Sequence, residues 1–297
     1  MDALAGLGAI PYFTLGPWEI LGIQIQGFGL MVAIGVTLAY NVGSWLAPRH
    51  GLSRDKIQSL MLAMLICGFL GSHVIDLLLY HPKEVFEDPK ILFKFGSTLS
   101  SYGGIIGSTL GMLWWKIRFK EPLMPYLDAA SFALPAGWFF GRVGCAVVHD
   151  HPGDPTDFAL AIVMKDGVAR HDLGFYEAMW WIVILGIFWT LLMLGKERWQ
   201  QRPGFFLALL PIVYAPIRFV LDFARTNDST YFGLTPAQYI SVAALIFGCT
   251  LMYMWATKRT IQLPLYVPSP EDESDDDGDK PVPAGPISKR KGKGKRR

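Results

Sequence analysis

Charge is scarce in this chain. Asp, Glu, Lys and Arg make up 18% of its 297 residues, against 52% hydrophobic residues, and the mean hydropathy is +0.31. That balance exceeds what a soluble domain of this length carries, and the surplus apolar surface calls for lipid. Cysteine is scarcer still, with 3 residues at Cys67, Cys145 and Cys249. Two of them sit in apolar runs as small hydrophobes, and the spacing forms neither a disulfide framework nor a zinc motif. The start of the chain lacks a basic stretch followed by a small-residue cleavage site, so residues 1–25 are expected to be a retained amphipathic lead-in on the outer face. The net charge of +2 hides a segregation, because an acidic block from Glu271 to Asp279 precedes a basic block from Lys289 to Arg297. Residues 261–297 therefore read as a disordered tail, solvated or touching anionic lipid, and the charge pattern gives no argument for a nucleic-acid partner.

Long hydrophobic runs are what the chain does have. At ~1.5 Å per residue, about 20 apolar residues cross a bilayer. Such runs occur at Gln26 to Leu46, Ile57 to Tyr80, Leu99 to Trp115, Met124 to Val148, Leu173 to Leu194, Phe205 to Phe223 and Leu234 to Trp255. The expected fold is an all-α polytopic bundle of about seven transmembrane helices over residues 26–260. Tyr102-Gly103-Gly104 and Gly141-Arg142-Val143-Gly144 are expected to interrupt the third and fourth helices.

Lys and Arg accumulate in alternate connections. Arg49, Arg54 and Lys56 follow the first run, Lys116, Arg118 and Lys120 the third, Lys196, Arg198 and Arg202 the fifth, and Lys258 and Arg259 the seventh. The loop from His81 to Phe95 balances its charges, and acids outnumber bases between His149 and Asp172. By the positive-inside rule the N-terminus lies outside and the C-terminus in the cytoplasm. Residues 149–172, with Asp154-Pro155-Thr156-Asp157 and the turn Lys165-Asp166-Gly167, read as a small outer-face cap.

Ionisable residues inside spans cost roughly 2.5 to 3.5 kcal/mol each, so each is a functional candidate. Arg142 lies between glycines near the outer end of the fourth run, and Arg218 in the sixth is followed by Asp222 and Arg225 at helical spacing. Arg218 and Asp222 suit a plain i,i+4 ion pair; the guanidinium forks also suit a lipid phosphate, and both readings stand. Gly103, Gly104 and Gly107, preceded by Ser100 and Ser101, offer either backbone donors to the same anion or close helix packing. Glu177, near the outer end of the fifth run, is the natural counter-ion to Arg142 or Arg218. His73 and Asp76 sit on adjacent turns of the second run, completing a polar interior or satisfying each other. His149, His151 and His171, with Asp150 and Asp172, supply acid–base pairs near neutral pH. His149-Asp150-His151 also suggests a metal, but no third ligand is placed by the spacing, and a solvated turn is the preferred reading.

In order along the chain these residues resemble the bacterial prolipoprotein diacylglyceryl transferases. The family's Tyr-Gly-Leu-Met pattern is similar to Phe28-Gly29-Leu30-Met31, its Gly-Ala-Arg stretch to Gly71-Ser72-His73, and its Gly-Gly-x-x-Gly turn to Gly103-Gly104-Ile105-Ile106-Gly107. The signature Gly-Arg-x-Gly-Asn-Phe-x-Asn-x-Glu-x-x-Gly resembles Gly141 to Gly153, with Cys145 and Val148 at its asparagines and Asp150 at its glutamate. Asp128 and Pro135 are placed as in the family. His-Pro-x-Gln-Leu-Tyr-Glu resembles His171 to Glu177, Tyr-Gly-x-x-Arg-Phe-x-x-Glu-Phe-x-Arg resembles Tyr214 to Arg225, and Leu234 to Gln238 resembles the opening of the last span.

The resemblance implies a multi-pass enzyme of the bacterial plasma membrane. It implies transfer of the diacylglyceryl group of phosphatidylglycerol to the lipobox cysteine of a prolipoprotein signal peptide, with glycerol phosphate released and no cofactor or metal required. Tyr102, Arg142, Asp150, His171 and Arg218 are then the expected catalytic residues. Gly103, Gly104, Gly144, His149, Glu177 and Arg225 are the expected substrate-binding ones. Tyr102 stands where relatives carry histidine; the thiol base is Tyr102, His149 or His171, or Tyr102 only hydrogen-bonds a headgroup oxygen. A paralogue acting on another lipid or thiol, and a non-enzymatic lipid-binding or transport protein, are the alternatives.

Overall fold

The computed structural model describes residues 9–20, 22–93, 100–195, 202–226 and 230–257. The helices are α1 (Gly27–Arg49), α2 (Arg54–Tyr80), a short α3 (Pro82–Glu87), α4 (Ser101–Phe119), α5 (Leu123–Val148), α6 (Leu173–Leu194), α7 (Phe205–Leu221) and α8 (Pro236–Ala256). Single 3-10 turns at Pro89–Phe93 and Asp222–Ala224 follow α3 and α7. Several helix starts are fixed by side-chain caps. Ser53 accepts from the Lys56 amide, Asp172 accepts from the Phe175 amide at 2.8 Å, and Thr235 with Gln238 forms a full capping box.

Among the described residues, 6 helices are long and apolar enough to cross a membrane: α1, α2, α5, α6, α7 with its 3-10 turn, and α8. The remaining expected span, α4, is a helix of 19 residues. Its glycines, serines and tryptophans, with Lys116 and Arg118 in its last turns, hold its hydropathy below that of the other six. It packs antiparallel along α2 at backbone contact: a Cβ on Gly71 would lie 2.6 Å from the Gly103 carbonyl oxygen, and one on Gly107 would lie 2.0 Å from that of Cys67. Small residues let two apolar helices gain van der Waals contact that lipid cannot supply.

The expected interruptions at Tyr102-Gly103-Gly104 and Gly141-Arg142-Val143-Gly144 do not occur; α4 and α5 run through both as continuous helix. Glycine costs about 1 kcal/mol in a helix interior, and close approach offsets that cost. Gly103 and Gly107 face α2, and Gly144 faces Phe28 and Met31 of α1.

Trp115, Phe132, Trp181, Phe188, Phe206 and Trp255 form the middle of the core, with α5 between α1 and α6. Two of their three indole N–H groups are satisfied locally, while that of Trp181 has no partner among the described residues. Trp115 Nε1 donates to Ser59 Oγ at 2.8 Å, and Trp255 Nε1 donates to the Arg202 carbonyl at 2.9 Å. Asp128 on α5 is buried and accepts the Leu207 amide at 2.9 Å. A carboxylate thus satisfies the start of α7, where unpaired N–H groups and the positive end of the helix dipole would otherwise be stranded.

The two ends of the bundle differ. At one end Lys56 pairs with Glu121, and Lys116 Nζ donates to the Glu121 carbonyl at 2.5 Å. At the other sits a three-stranded antiparallel cap of β3 (Pro152–Pro155), β4 (Ile162–Val163) and β5 (Ala169–Asp172), in the order β3-β5-β4. The expected turn at Asp166-Gly167 joins β4 to β5, with Gly167 at φ +77°. Of the expected lead-in, Ile10 hydrogen-bonds to Ala161 and Val163, and β1 (Trp18–Ile20) pairs with β2 (Ile23–Ile25). Lys94, Lys196, Arg198, Lys258, Arg259 and the tail lie outside the described residues.

Candidate active site

The cap end of the bundle gathers three helix termini. The end of α5 meets the start of α6 closely enough that a Cβ on Gly174 would lie 2.9 Å from both the Ala146 nitrogen and the Cys145 Cβ. Gly153 of β3 bridges to Arg225 just beyond α7. Arg142, Glu177 and Arg218 each lie within two turns of those termini, so packing of the termini brings them together.

Glu177 is the hub. Its side chain is 1% exposed, and it takes Arg142 Nε on Oε2 at 3.1 Å and Arg218 Nη1 on Oε1 at 3.0 Å. The Tyr214 hydroxyl donates to Oε2 at 2.6 Å. Arg218 turns its Nη2 to Asp222 Oδ1 at 3.0 Å, and Arg225 Nη1 approaches the same oxygen at 3.8 Å. The other Asp222 oxygen accepts the Thr235 hydroxyl, and Thr235 is itself locked in the capping box of α8. Both sequence readings of Arg218 therefore hold in part: the i,i+4 pair with Asp222 exists, and a second arginine shares the site. Among the described residues, three guanidiniums and two carboxylates meet in this network. Burial strengthens every charge interaction in it, because little water is present to screen them.

Cys145 sits one turn after Arg142, and Arg142 Nη1 approaches its sulfur at 3.9 Å. Tyr214 was not singled out by sequence; its signal is its position one helical turn before Arg218, on the same face of α7.

The remaining candidates are placed as follows. His149 ends α5 in the left-handed conformation, at φ 50°. Its Nδ1 meets Asp172 Oδ2 at 2.7 Å, its Nε2 meets the Phe13 carbonyl at 2.6 Å, and Tyr12 and Phe13 pack on its ring. His149 thus ties the N-terminal segment to the cap. Burial pushes the Asp172 carboxyl above the usual carboxylate range, and the His149 hydrogen bond works against that rise. Asp150 Oδ1 lies 2.5 Å from His151 Nδ1. His171 Nδ1 lies 3.1 Å from the Tyr176 hydroxyl, beside the Phe158 ring. Tyr102 is half-buried in the first turn of α4, a helix anchored by Ser100, whose amide donates to the Ser72 carbonyl at 3.1 Å. His73 and Asp76 are both buried on α2.

The glycine candidates divide by surroundings. Gly103 packs against α2 and Gly144 against α1; Gly104 has only atoms at 4.0 Å, and Gly141 has nothing within 4 Å of a built Cβ.

Comparison with known proteins agrees with this geometry. The family model described as prolipoprotein diacylglyceryl transferase matches residues 17–254, which include every member of the buried network. A phosphatidylglycerol–prolipoprotein diacylglyceryl transferase of Photobacterium profundum is 30% identical over 267 residues, covering 84% of this chain and 97% of that protein. A second such transferase from Clostridium perfringens is 26% identical over 78% of this chain and 92% of its own length. One from Campylobacter lari is 25% identical, over 81% and 93% respectively. With four-fifths of its length matched by the family model, the chain belongs to the prolipoprotein diacylglyceryl transferase family.

Proposed function

We propose that this chain is a phosphatidylglycerol–prolipoprotein diacylglyceryl transferase. The observation that carries the reading is the buried network at the cap end, where Arg142 and Arg218 converge on the single carboxylate of Glu177. In the reaction the sulfur of a lipobox cysteine forms a bond to the glyceryl carbon that bears the phosphate. That carbon's C–O bond breaks, its electron pair leaves with glycerol phosphate, and the thiol proton passes to a base or to water.

The phosphodiester carries one negative charge and the departing phosphomonoester about 1.5 to 2, so negative charge grows on the leaving group. Guanidinium forks fixed in a dry site stabilise that growth without reorganising. Arg142 and Arg218 hold the phosphate, and Arg225 lies nearer the rim. Tyr102, Asp150 and His171 are the remaining catalytic candidates, and Gly103, Gly104, Gly144 and His149 the remaining binding ones. The substrates are membrane phosphatidylglycerol and the signal peptide of a prolipoprotein. The Lys and Arg bias of the connections supports a plasma-membrane orientation with the cap end outside and the C-terminus in the cytoplasm.

The test incubates purified protein with phosphatidylglycerol and a lipobox peptide and looks for the mass of the diacylglyceryl thioether. The unmodified chain yields it, and Arg142→Ala or Arg218→Ala abolishes it in protein that still inserts. Absence of product from the unmodified chain, or full transfer by both variants, overturns the proposal.

A further inference from the structure

Just beyond the last helical turn of α5 the chain folds back on itself. His149 takes the left-handed conformation that α-helices use to stop, which is uncommon for a residue other than glycine. It is held there from both sides, by Asp172 at 2.7 Å and by the Phe13 carbonyl at 2.6 Å. The reversal returns Asp150 and His151 toward the helix they have just left. As a result the Cys145 sulfur, an Asp150 carboxylate oxygen and a His151 ring nitrogen all lie within 4.8 Å of one another. The fold takes His149 out of the His149-Asp150-His151 run and brings Cys145, five residues before Asp150, to the remaining two.

We propose that Cys145, Asp150 and His151 bind a soft divalent metal ion of the Zn2+ class. Thiolate, imidazole and carboxylate are the three donor types that zinc uses, and three protein ligands with an open fourth position form one of its usual arrangements. At Zn–S of about 2.3 Å and Zn–N of about 2.0 Å, tetrahedral ligands stand roughly 3.5 Å apart. Side-chain rotation of the partly exposed Asp150 and His151 closes the difference, with the metal taking the place of the hydrogen bond between Asp150 Oδ1 and His151 Nδ1. Charge also balances, since one thiolate and one carboxylate neutralise a divalent ion. The neighbouring cation, Arg142, is held by Glu177 at 3.1 Å, with its Nη1 still 3.9 Å from the Cys145 sulfur. The site lies at the negative end of the α5 dipole, which favours a cation. Cys145 is buried while Asp150 is exposed, so an entry path from the cap side exists.

The site shares Asp150 with the proposed transferase machinery, but the binding measurement does not depend on that reading. The experiment titrates cobalt(II) chloride into the full chain in detergent, free of any histidine tag, and follows the thiolate-to-cobalt charge-transfer absorption. About one equivalent is expected, displaced by zinc. The absorption disappears in Cys145→Ser and persists in Cys67→Ser and Cys249→Ser. In His151→Ala the band remains and the affinity falls at least ~10-fold, consistent with the loss of one ligand. The His151 variant keeps the test decisive if Cys145→Ser fails to fold. No thiolate band in the unmodified chain, a band unchanged in folded Cys145→Ser, or unchanged affinity in His151→Ala overturns the proposal. None of these readouts uses lipid or peptide, so failure of transfer and failure of metal binding are separate results.

Discussion

Glu177→Gln is the substitution that most directly tests the buried network. The carboxylate accepts from three donors, with Arg218 on Oε1 and Arg142 and Tyr214 on Oε2. A glutamine of the same shape has one oxygen and one NH2 group. Whichever way the amide is turned, an N–H donor faces either Arg218 or the pair of Arg142 and Tyr214. The change therefore removes the negative charge that both guanidiniums share and adds a donor-to-donor contact at a side chain that is 1% exposed. Removing one partner of a buried ion pair costs about 3–5 kcal/mol. At ~1.4 kcal/mol per tenfold, even the lower figure is a factor of more than ~100 in any rate that requires both arginines in place.

Two comparisons isolate the cause. Tyr214→Phe deletes one hydrogen bond to a charged group, worth ~1.5–3 kcal/mol, and leaves both ion pairs intact. A double-mutant cycle between Arg142→Gln and Glu177→Gln is expected to show a coupling of ~1.5 kcal/mol or more, because the residues touch. Thermal unfolding in detergent reads stability, and formation of the thioether product reads transfer. Glu177→Gln within ~0.5 kcal/mol of the unmodified chain, with transfer reduced less than threefold, refutes the argument that this carboxylate organises the site.

Gly107→Ala places a methyl 2.0 Å from the Cys67 carbonyl and forces α2 and α4 apart, whereas Gly104→Ala meets only atoms at 4.0 Å. The first is expected to lower the unfolding temperature sharply and the second to leave it within error, so equal effects count against the packing account. Asp128→Ala strands the start of α7, and a loss of ~2 kcal/mol or more in unfolding free energy is expected, with Asp128→Asn milder because it retains an acceptor. His149→Ala releases the N-terminal segment from the cap, and limited proteolysis is expected to cut within residues 9–20 while the helices stay intact. A cleavage pattern identical to that of the unmodified chain contradicts the clasp.

The helices were legible because lipid imposes a simple rule: about 20 apolar residues per crossing and satisfied backbone throughout. Leu173 to Leu194 matches α6 at both ends, Tyr80, Val148 and Phe205 each match one end, and the other ends differ by one to four residues, with caps such as Ser53 and Thr235 deciding some of them. Glycine misled at two places. Gly103 and Gly144 look like breaks in one dimension, yet each touches a partner helix that the local sequence does not reveal. The pairing of Arg142 and Arg218 through Glu177 was half legible, since a buried carboxylate needs a cation, but sequence cannot show that one carboxylate serves both. Tyr214 opened the stretch that resembles the family's motif but was given no role, because a tyrosine in a span reads as ordinary apolar filling. The turn-back after His149 was hidden as well, for a non-glycine residue gives no warning of a left-handed backbone.

The network also explains why the arginines tolerate burial before any lipid arrives. An isolated guanidinium in that position carries a desolvation penalty of several kcal/mol, and Glu177 and Asp222 offset it by occupying the forks. Each guanidinium has five N–H donors, and Glu177 takes one from each. A phosphate can then bind to the remaining donors without displacing the carboxylates. Had the carboxylates been absent, the empty site would hold buried guanidiniums with nothing in their forks. Asp222→Asn removes the charge of a group that Arg218 meets at 3.0 Å and Arg225 approaches at 3.8 Å, so it is expected to lower the unfolding temperature while tightening the site for anions, and an anion affinity that stays the same or falls refutes this account of the pairing.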